Sequence, residues 1–142
     1  MVLPLENRNP LIERALAGTA VVAAAAGSSV VSYFDPSIYN FFPVCPLFKL
    51  TGFACPGCGL TRGFHALFHG DVLTALHFNA LIPVWAVIFG YLFLSLAAFS
   101  VRGKALPMKM PSPLVLSIFM FGLLAFGVLR NLPVYPFNLL YP

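Results

Sequence analysis

What this 142-residue sequence lacks above all is charge. Eight Lys and Arg and four Asp and Glu are all it has, 8% of the chain, where a soluble domain carries about a quarter. A folded surface could not be covered with polar groups from so small a stock, which excludes an ordinary soluble globule. Sixty per cent of the residues are apolar and the mean hydropathy is +0.91, so the surroundings that suit this chain are a lipid bilayer. The net charge of +4 is too thinly spread to hold nucleic acid, and no such partner is expected. The length suits a single membrane domain, 1–142.

Three apolar stretches approach the roughly 20 residues that a helical span needs. They lie at about 11–31, 72–101 and 112–130, giving the expected fold class: an all-α integral membrane protein with three transmembrane helices. Ser112 is placed to cap the third and Pro113 fits its first position, where a missing N–H does no harm. The small residues of "VVAAAAGSS" also suit a cleaved leader, but Glu6 and Glu13 dilute the positive start and the apolar run is long for a signal core. The first stretch is therefore read as a retained span.

Lys and Arg beside the spans set orientation. Arg8, Arg14, Arg102, Lys104 and Lys109 fall on one side, Lys49, Arg62 and Arg130 on the other. The N-terminus is expected on the cytoplasmic side of the membrane, and residues 34–70, with every cysteine, on the extracytoplasmic face.

Within that loop stands "CPGCGLTR", residues 55–62. From Pro56 the pattern turns helical. At 100° steps Cys58, Thr61, Arg62, His65 and His69 share one face, and Leu60, Phe64, Leu67 and Phe68 the other. This predicts an amphipathic helix over about 56–69, roughly 20 Å long, lying at the interface or re-entering it. Gly70 suits its end and Asp71 the start of the next helix, facing the N–H groups near Thr74. With Pro56 as first helical residue, Cys55 sits at the cap and Cys58 in the first turn, where the helix dipole and Arg62 favour the thiolate of Cys58.

Such an arrangement is shared with CxxC redox sites, but the strand–helix–strand setting of thioredoxin is missing, as is any quinone or flavin signature. A fourth cysteine is missing too. Cys45, Cys55 and Cys58 give C-x9-C-x2-C, whereas structural zinc takes four ligands. His65 stands about 10 Å along the helix from Cys58, His69 farther, and His77 belongs to the next helix, so the histidines read as interfacial packing residues. Zinc on the three thiolates stays open, although the sequence requires no cofactor. So does thiol–disulfide exchange through Cys55, Cys58 and Cys45. A further group, Arg62, Asp71, Asn79, Arg130 and Asn131, falls near one membrane face. Ionisable groups there are usually paired, and Asp71 is expected to pair with Arg62 or Arg130.

These residues carry a resemblance. Cys45-Pro46, Thr51-Gly52, the run Cys55-Pro56, Cys58-Gly59 and Thr61-Arg62, then Gly70-Asp71, Ala75, Asn79, and finally Arg130-Asn131 with Pro133, resemble the bacterial membrane family called domain of unknown function 2752, through its CPxCGxTR motif. The likeness spans about the last two thirds of the chain, leaves out the first span, and has no counterpart of His65 or His69. It implies a choice of residues and no activity. The leading expectation is a non-catalytic structural or partner-binding site formed by the cysteine-capped helix and the polar cluster. The partners expected are the lipid bilayer and a membrane-protein partner or a second copy of the chain.

Overall fold

Apolar segments held away from water must pair their own backbone N–H and C=O groups, which favours helices. The computed structural model describes residues 9–39, 41–108, 110–135 and 137–140, and every regular element among them is helical. In chain order these are α1 (Pro10–Tyr33), α2 (Pro46–Thr51), α3 (Leu60–Phe68), α4 (Val72–Phe78), α5 (Ile82–Arg102) and α6 (Pro113–Leu129), followed by a 3-10 turn at Phe137–Leu140. Arg8 and Lys109 of the orientation count, and Glu6, lie outside the described residues.

Two helices, α1 with 24 residues and α5 with 21, are long and apolar enough to cross a membrane. At 1.5 Å per residue they measure about 36 and 32 Å, against a hydrocarbon core of about 30 Å. Their large apolar side chains point outward, Leu16, Val22, Val87 and Leu94 among them, as lipid-facing residues do. The stretch expected as a third span forms a shorter apolar helix of 17 residues, α6. Its entry follows the sequence: the Ser112 hydroxyl accepts the backbone N–H of Val115 at 3.3 Å, and Pro113 stands in the first turn.

Two expected helices have different bounds. The stretch read as one helix over 72–101 is broken between α4 and α5. Pro83 sits in the first turn of α5, and a proline ring clashes with the carbonyl four positions back, here that of Asn79. Asn79 accordingly turns extended, at φ −159° and ψ 112°. The helix expected from Pro56 begins at Leu60 instead. Gly59 takes a left-handed φ of +81°, and residues 55–60 form successive turns, Cys58 N–H to Cys55 O and Leu60 N–H to Gly57 O. Gly70, also left-handed at φ +79°, follows α3 as anticipated.

The chain divides into two compact units, Met1–Ser29 with Trp85–Met108, and Val30–Val84 with Lys109–Pro142. In the first, Arg14 donates through Nε to the carbonyl of Ser100 at 3.1 Å and through Nη2 to that of Val101 at 2.6 Å, satisfying two of the last carbonyls of α5. In the second, α3 and α4 pack around buried Ala66, Ala75 and Ile82, with Leu60, Phe64 and Leu67 against them. Their close approach depends on Gly63, where a Cβ would stand 2.7 Å from Ile82 Cδ1. Just after α1, Phe34 meets the edges or faces of Tyr33, Tyr39 and Phe41 at centroid distances of 5.0–5.5 Å. Tyrosines grouped this way suit a membrane–water interface.

Candidate metal centre

The three thiols arrive from two short irregular stretches. Cys45 is the residue before Pro46, which opens α2; Cys55 and Cys58 lie on the turns that precede α3. Those turns bring the sulfurs together: Cys45 Sγ is 3.2 Å from Cys55 Sγ, which is 3.4 Å from Cys58 Sγ. The backbone N–H of Cys55 points at Cys58 Sγ from 3.2 Å. All three cysteines are free, and their sulfurs all lie within 4.8 Å of one another. Sulfurs bound to one zinc at about 2.3 Å stand about 3.8 Å apart in a tetrahedron and never more than about 4.6 Å. Small rotations of the side chains would therefore bring the set onto a single ion.

The thiols differ in environment. Cys45 is pulled below the ordinary thiol range to about 7, first by the backbone N–H of Phe48 and then by the thiol of Cys55. Cys58 is buried, and desolvation above all, then the neighbouring thiols of Cys55 and Cys45, push it up to about 12. The expectation that Cys58 holds the favoured thiolate is thus reversed. Its premise was a helix starting at Pro56, and with α3 starting at Leu60 the sulfur lies in a buried turn before the helix.

Three side chains distant in sequence hold the cysteine turns by their backbone. Asn79 Nδ2 donates to the carbonyls of Pro56 and Cys58 at 2.9 and 3.0 Å, while its Oδ1 accepts the N–H of Leu81. Arg130, fully buried, donates from Nη1 to Cys55 O at 2.8 Å and Cys58 O at 3.1 Å. It also reaches Leu140 O through Nε and Phe78 O through Nη2. Asn131 closes a two-way bond with Ala54, accepting its N–H and donating to its carbonyl, both at 2.8 Å. The approach of α6 is close because Gly127 has no side chain; a Cβ there would stand 3.0 Å from Pro56 Cγ.

Of the expected polar cluster, Asn79, Arg130 and Asn131 therefore converge on the cysteine turns. Asp71 serves elsewhere: it is exposed, and its carboxylate accepts the N–H of Thr74 at 3.0 Å, capping α4. Arg62 extends over the ring of Phe78, 6.0 Å from its centroid. The histidines stay out of the sulfur cluster. His65 Nδ1 pairs with Val31 O at 2.7 Å, His69 Nδ1 with His65 O at 2.8 Å, and His77 meets Phe78 edge-on. Beside the cysteines lies a cavity of about 390 Å³, bounded by all three of them, by Phe42 and Phe48, and by Thr61 and Arg62.

The carbonyls of Phe78 and Leu140 and the contact at Gly127 were not anticipated, since backbone acceptors leave no mark of residue type in a sequence. No curated protein and no solved structure matches the chain. Residues 45–93 do match a family model, and the matched segment holds all three cysteines, Arg62, Asp71 and Asn79, while Arg130 and Asn131 lie beyond it. The family behind that model is described as "Protein of unknown function (DUF2752)", and the likeness to it is confined to residues 45–93.

Proposed function

We propose that this is a small membrane protein whose Cys45, Cys55 and Cys58 bind one soft metal ion, with zinc as the best match. The observation that carries the reading is the gathering of three free thiols within 4.8 Å. Thiolates favour zinc, copper(I) and iron–sulfur centres over hard cations. The ion would tie the start of α2 to the turns before α3, and Asn79, Arg130 and Asn131 would hold those turns in the binding geometry, as supporting shells do in metal sites.

The site is assigned to the extracytoplasmic face, with the N-terminus and the loop around Arg102 and Lys104 in the cytoplasm. The Lys and Arg distribution supports this orientation. So does Arg14, which meets the last carbonyls of α5 and so puts the beginning of α1 beside the end of α5. On this reading α6 is a third, tilted or shortened span.

The test is metal uptake by the full chain, purified in detergent with a phosphine reductant and stripped with a chelator. Cobalt(II) should bind at one ion per chain with intense thiolate charge-transfer bands, and zinc should displace it. Serine at any one of the three cysteines should weaken uptake at least tenfold. Uptake unchanged in all three serine variants would overturn the proposal.

A second reading, thiol–disulfide exchange, draws on one observation: the lowered Cys45 thiol lies 3.2 Å from Cys55. Reversible oxidation of that pair by a disulfide substrate, in protein that takes up no metal, would favour it.

A further inference from the structure

A tetrahedral ion on three thiolates needs a fourth ligand, and the described histidines, aspartates and glutamates do not join the cysteine cluster. We infer that the fourth ligand comes from outside the chain: a small thiolate seated in the cavity between the cysteines and Arg62. This rests on the three-thiolate metal reading and specifies what that site takes.

Three features of the cavity select the ligand. Its volume of about 390 Å³ lies within the range of small-molecule sites, roughly 300–1,000 Å³, and exceeds the share of one water, about 30 Å³. A molecule with a short carbon body fits it. One wall is aromatic, with Phe42 and Phe48, which suits that carbon body.

The other wall carries Arg62. Among the described residues its guanidinium lies over the ring of Phe78 and feels the Asp35 carboxylate through space, without a hydrogen bond, so its N–H donors remain for an anion. The charge balance agrees. One divalent ion on three thiolates leaves a complex of charge −1, and a fourth thiolate makes it −2. Arg62 on the cavity wall and Arg130 behind the Cys55 and Cys58 carbonyls supply two positive charges in compensation. A soft ion among thiolates also prefers sulfur to a hard oxygen donor. Binding breaks the S–H bond of the incoming thiol and releases its proton to solvent, and the new sulfur–metal bond displaces whatever solvent ligand the ion held. No electron is transferred.

The experiment uses the full chain in detergent, saturated with cobalt(II) and kept reduced by a phosphine. 2-Mercaptoethanol is titrated in, with azide as the hard-anion arm. The thiol should raise the charge-transfer intensity from a three-thiolate to a four-thiolate level, saturating at one per ion, and should outcompete azide. At full cobalt loading, Arg62→Gln should weaken the thiol about tenfold, as loss of a charged hydrogen bond does, and Arg62→Lys should restore most of the affinity. A three-thiolate cobalt spectrum that the thiol leaves unmoved overturns this inference while leaving the metal site standing. So does azide binding as tightly as the thiol. Equal thiol affinity in Arg62→Gln removes the arginine from the site, and the inference with it. Failure to bind cobalt at all overturns both readings.

Discussion

Arg130 donates a hydrogen bond to the carbonyl of Cys55, 75 positions earlier in the chain, at 2.8 Å. The same nitrogen reaches Cys58 O at 3.1 Å, so the planar guanidinium at the end of α6 holds both ends of the CxxC turn. An ammonium could serve that pair but could not also reach Leu140 O and Phe78 O, which Nε and Nη2 take. Arg130→Lys is therefore expected to lower unfolding stability in detergent by about 2 kcal/mol, and Arg130→Met, which leaves several buried carbonyls without donors, by about 3–5 kcal/mol. Thermal unfolding of both variants checks this, and parent-like melting in Arg130→Met would show that the guanidinium is dispensable to the turn.

Asn131 and Ala54 form the next fastening, each offering the other one donor and one acceptor. Asn131→Asp keeps the acceptor for Ala54 N–H but sets an oxygen against the carbonyls of Ala54 and Gly127, to which Nδ2 now donates. The expected loss is about 2 kcal/mol or more, larger than for Asn131→Ala, which removes the bonds without adding repulsion. An aspartate variant that melts above the alanine variant would contradict the assigned orientation of the amide.

The parts of this structure that were legible in the sequence are those set by local chemistry. The lack of charge announced the apolar exterior of α1 and α5, Ser112 and Asp71 announced the caps of α6 and α4, and Gly70 announced the end of α3. The break at Asn79 was equally local, but the apolar run through Pro83 masked the proline's clash with the carbonyl four positions before it. The helical periodicity runs through Gly59, but its left-handed φ delays α3 and places Cys58 in a buried turn. The convergence of Cys45 with Cys55 and the grip of Arg130 on carbonyls are tertiary. No spacing rule encodes them, because the acceptors are backbone groups that every residue carries.

At Gly63, α3 lies close against its neighbours. A Cβ there would lie 2.7 and 2.9 Å from side-chain atoms of Ile82, which can shift, and 3.2 Å from the backbone oxygen of Ala75, which shifts less readily. Gly63→Ala should cost about 1–3 kcal/mol by overpacking. Gly90→Ala serves as the control, since a Cβ there meets nothing within 4 Å. Its melting point should hold or rise slightly, because alanine favours the helix. Equal melting of the two variants would remove the case for a tight crossing.

Asp71 gives a pH dependence. Its carboxyl is held below the ordinary value of 3.8 by hydrogen bonds from Thr74, side chain first and backbone next. A depressed folded value means that the cap's contribution is fully present above the unfolded value and fades as pH falls through the folded one. Asp71→Ala should thus melt below the parent at pH 7, and the gap should close as the pH is taken below about 4. A gap that stays constant down to pH 2 would mean that the ionised carboxylate is not what caps α4.

The cysteines themselves offer the sharpest contrast between the sequence expectation and the fold. A helix beginning at Pro56 makes Cys58 the most reactive thiol, tuned by the dipole and by Arg62. The folded turn does the opposite, with Cys58 buried and pushed up to about 12, and Cys45 beside the N–H of Phe48 and pulled to about 7. The thiolate is the nucleophile in alkylation, so in metal-free, reduced protein Cys45 should gain reactivity as the pH rises through about 7. Cys58 should stay inert across the neutral range and react only once denaturant opens the turn. Asn79→Ala, which removes the two bonds holding Pro56 O and Cys58 O, should loosen the turn and bring Cys58 into reach in the folded protein. Mass-resolved alkylation from pH 5 to 9 reads all of this in one series. Labelling of Cys58 ahead of Cys45 would restore the dipole-tuned helix and reject the buried turn. Protection of all three thiols by added zinc, reversed by a chelator, would tie the same sulfurs to the metal site.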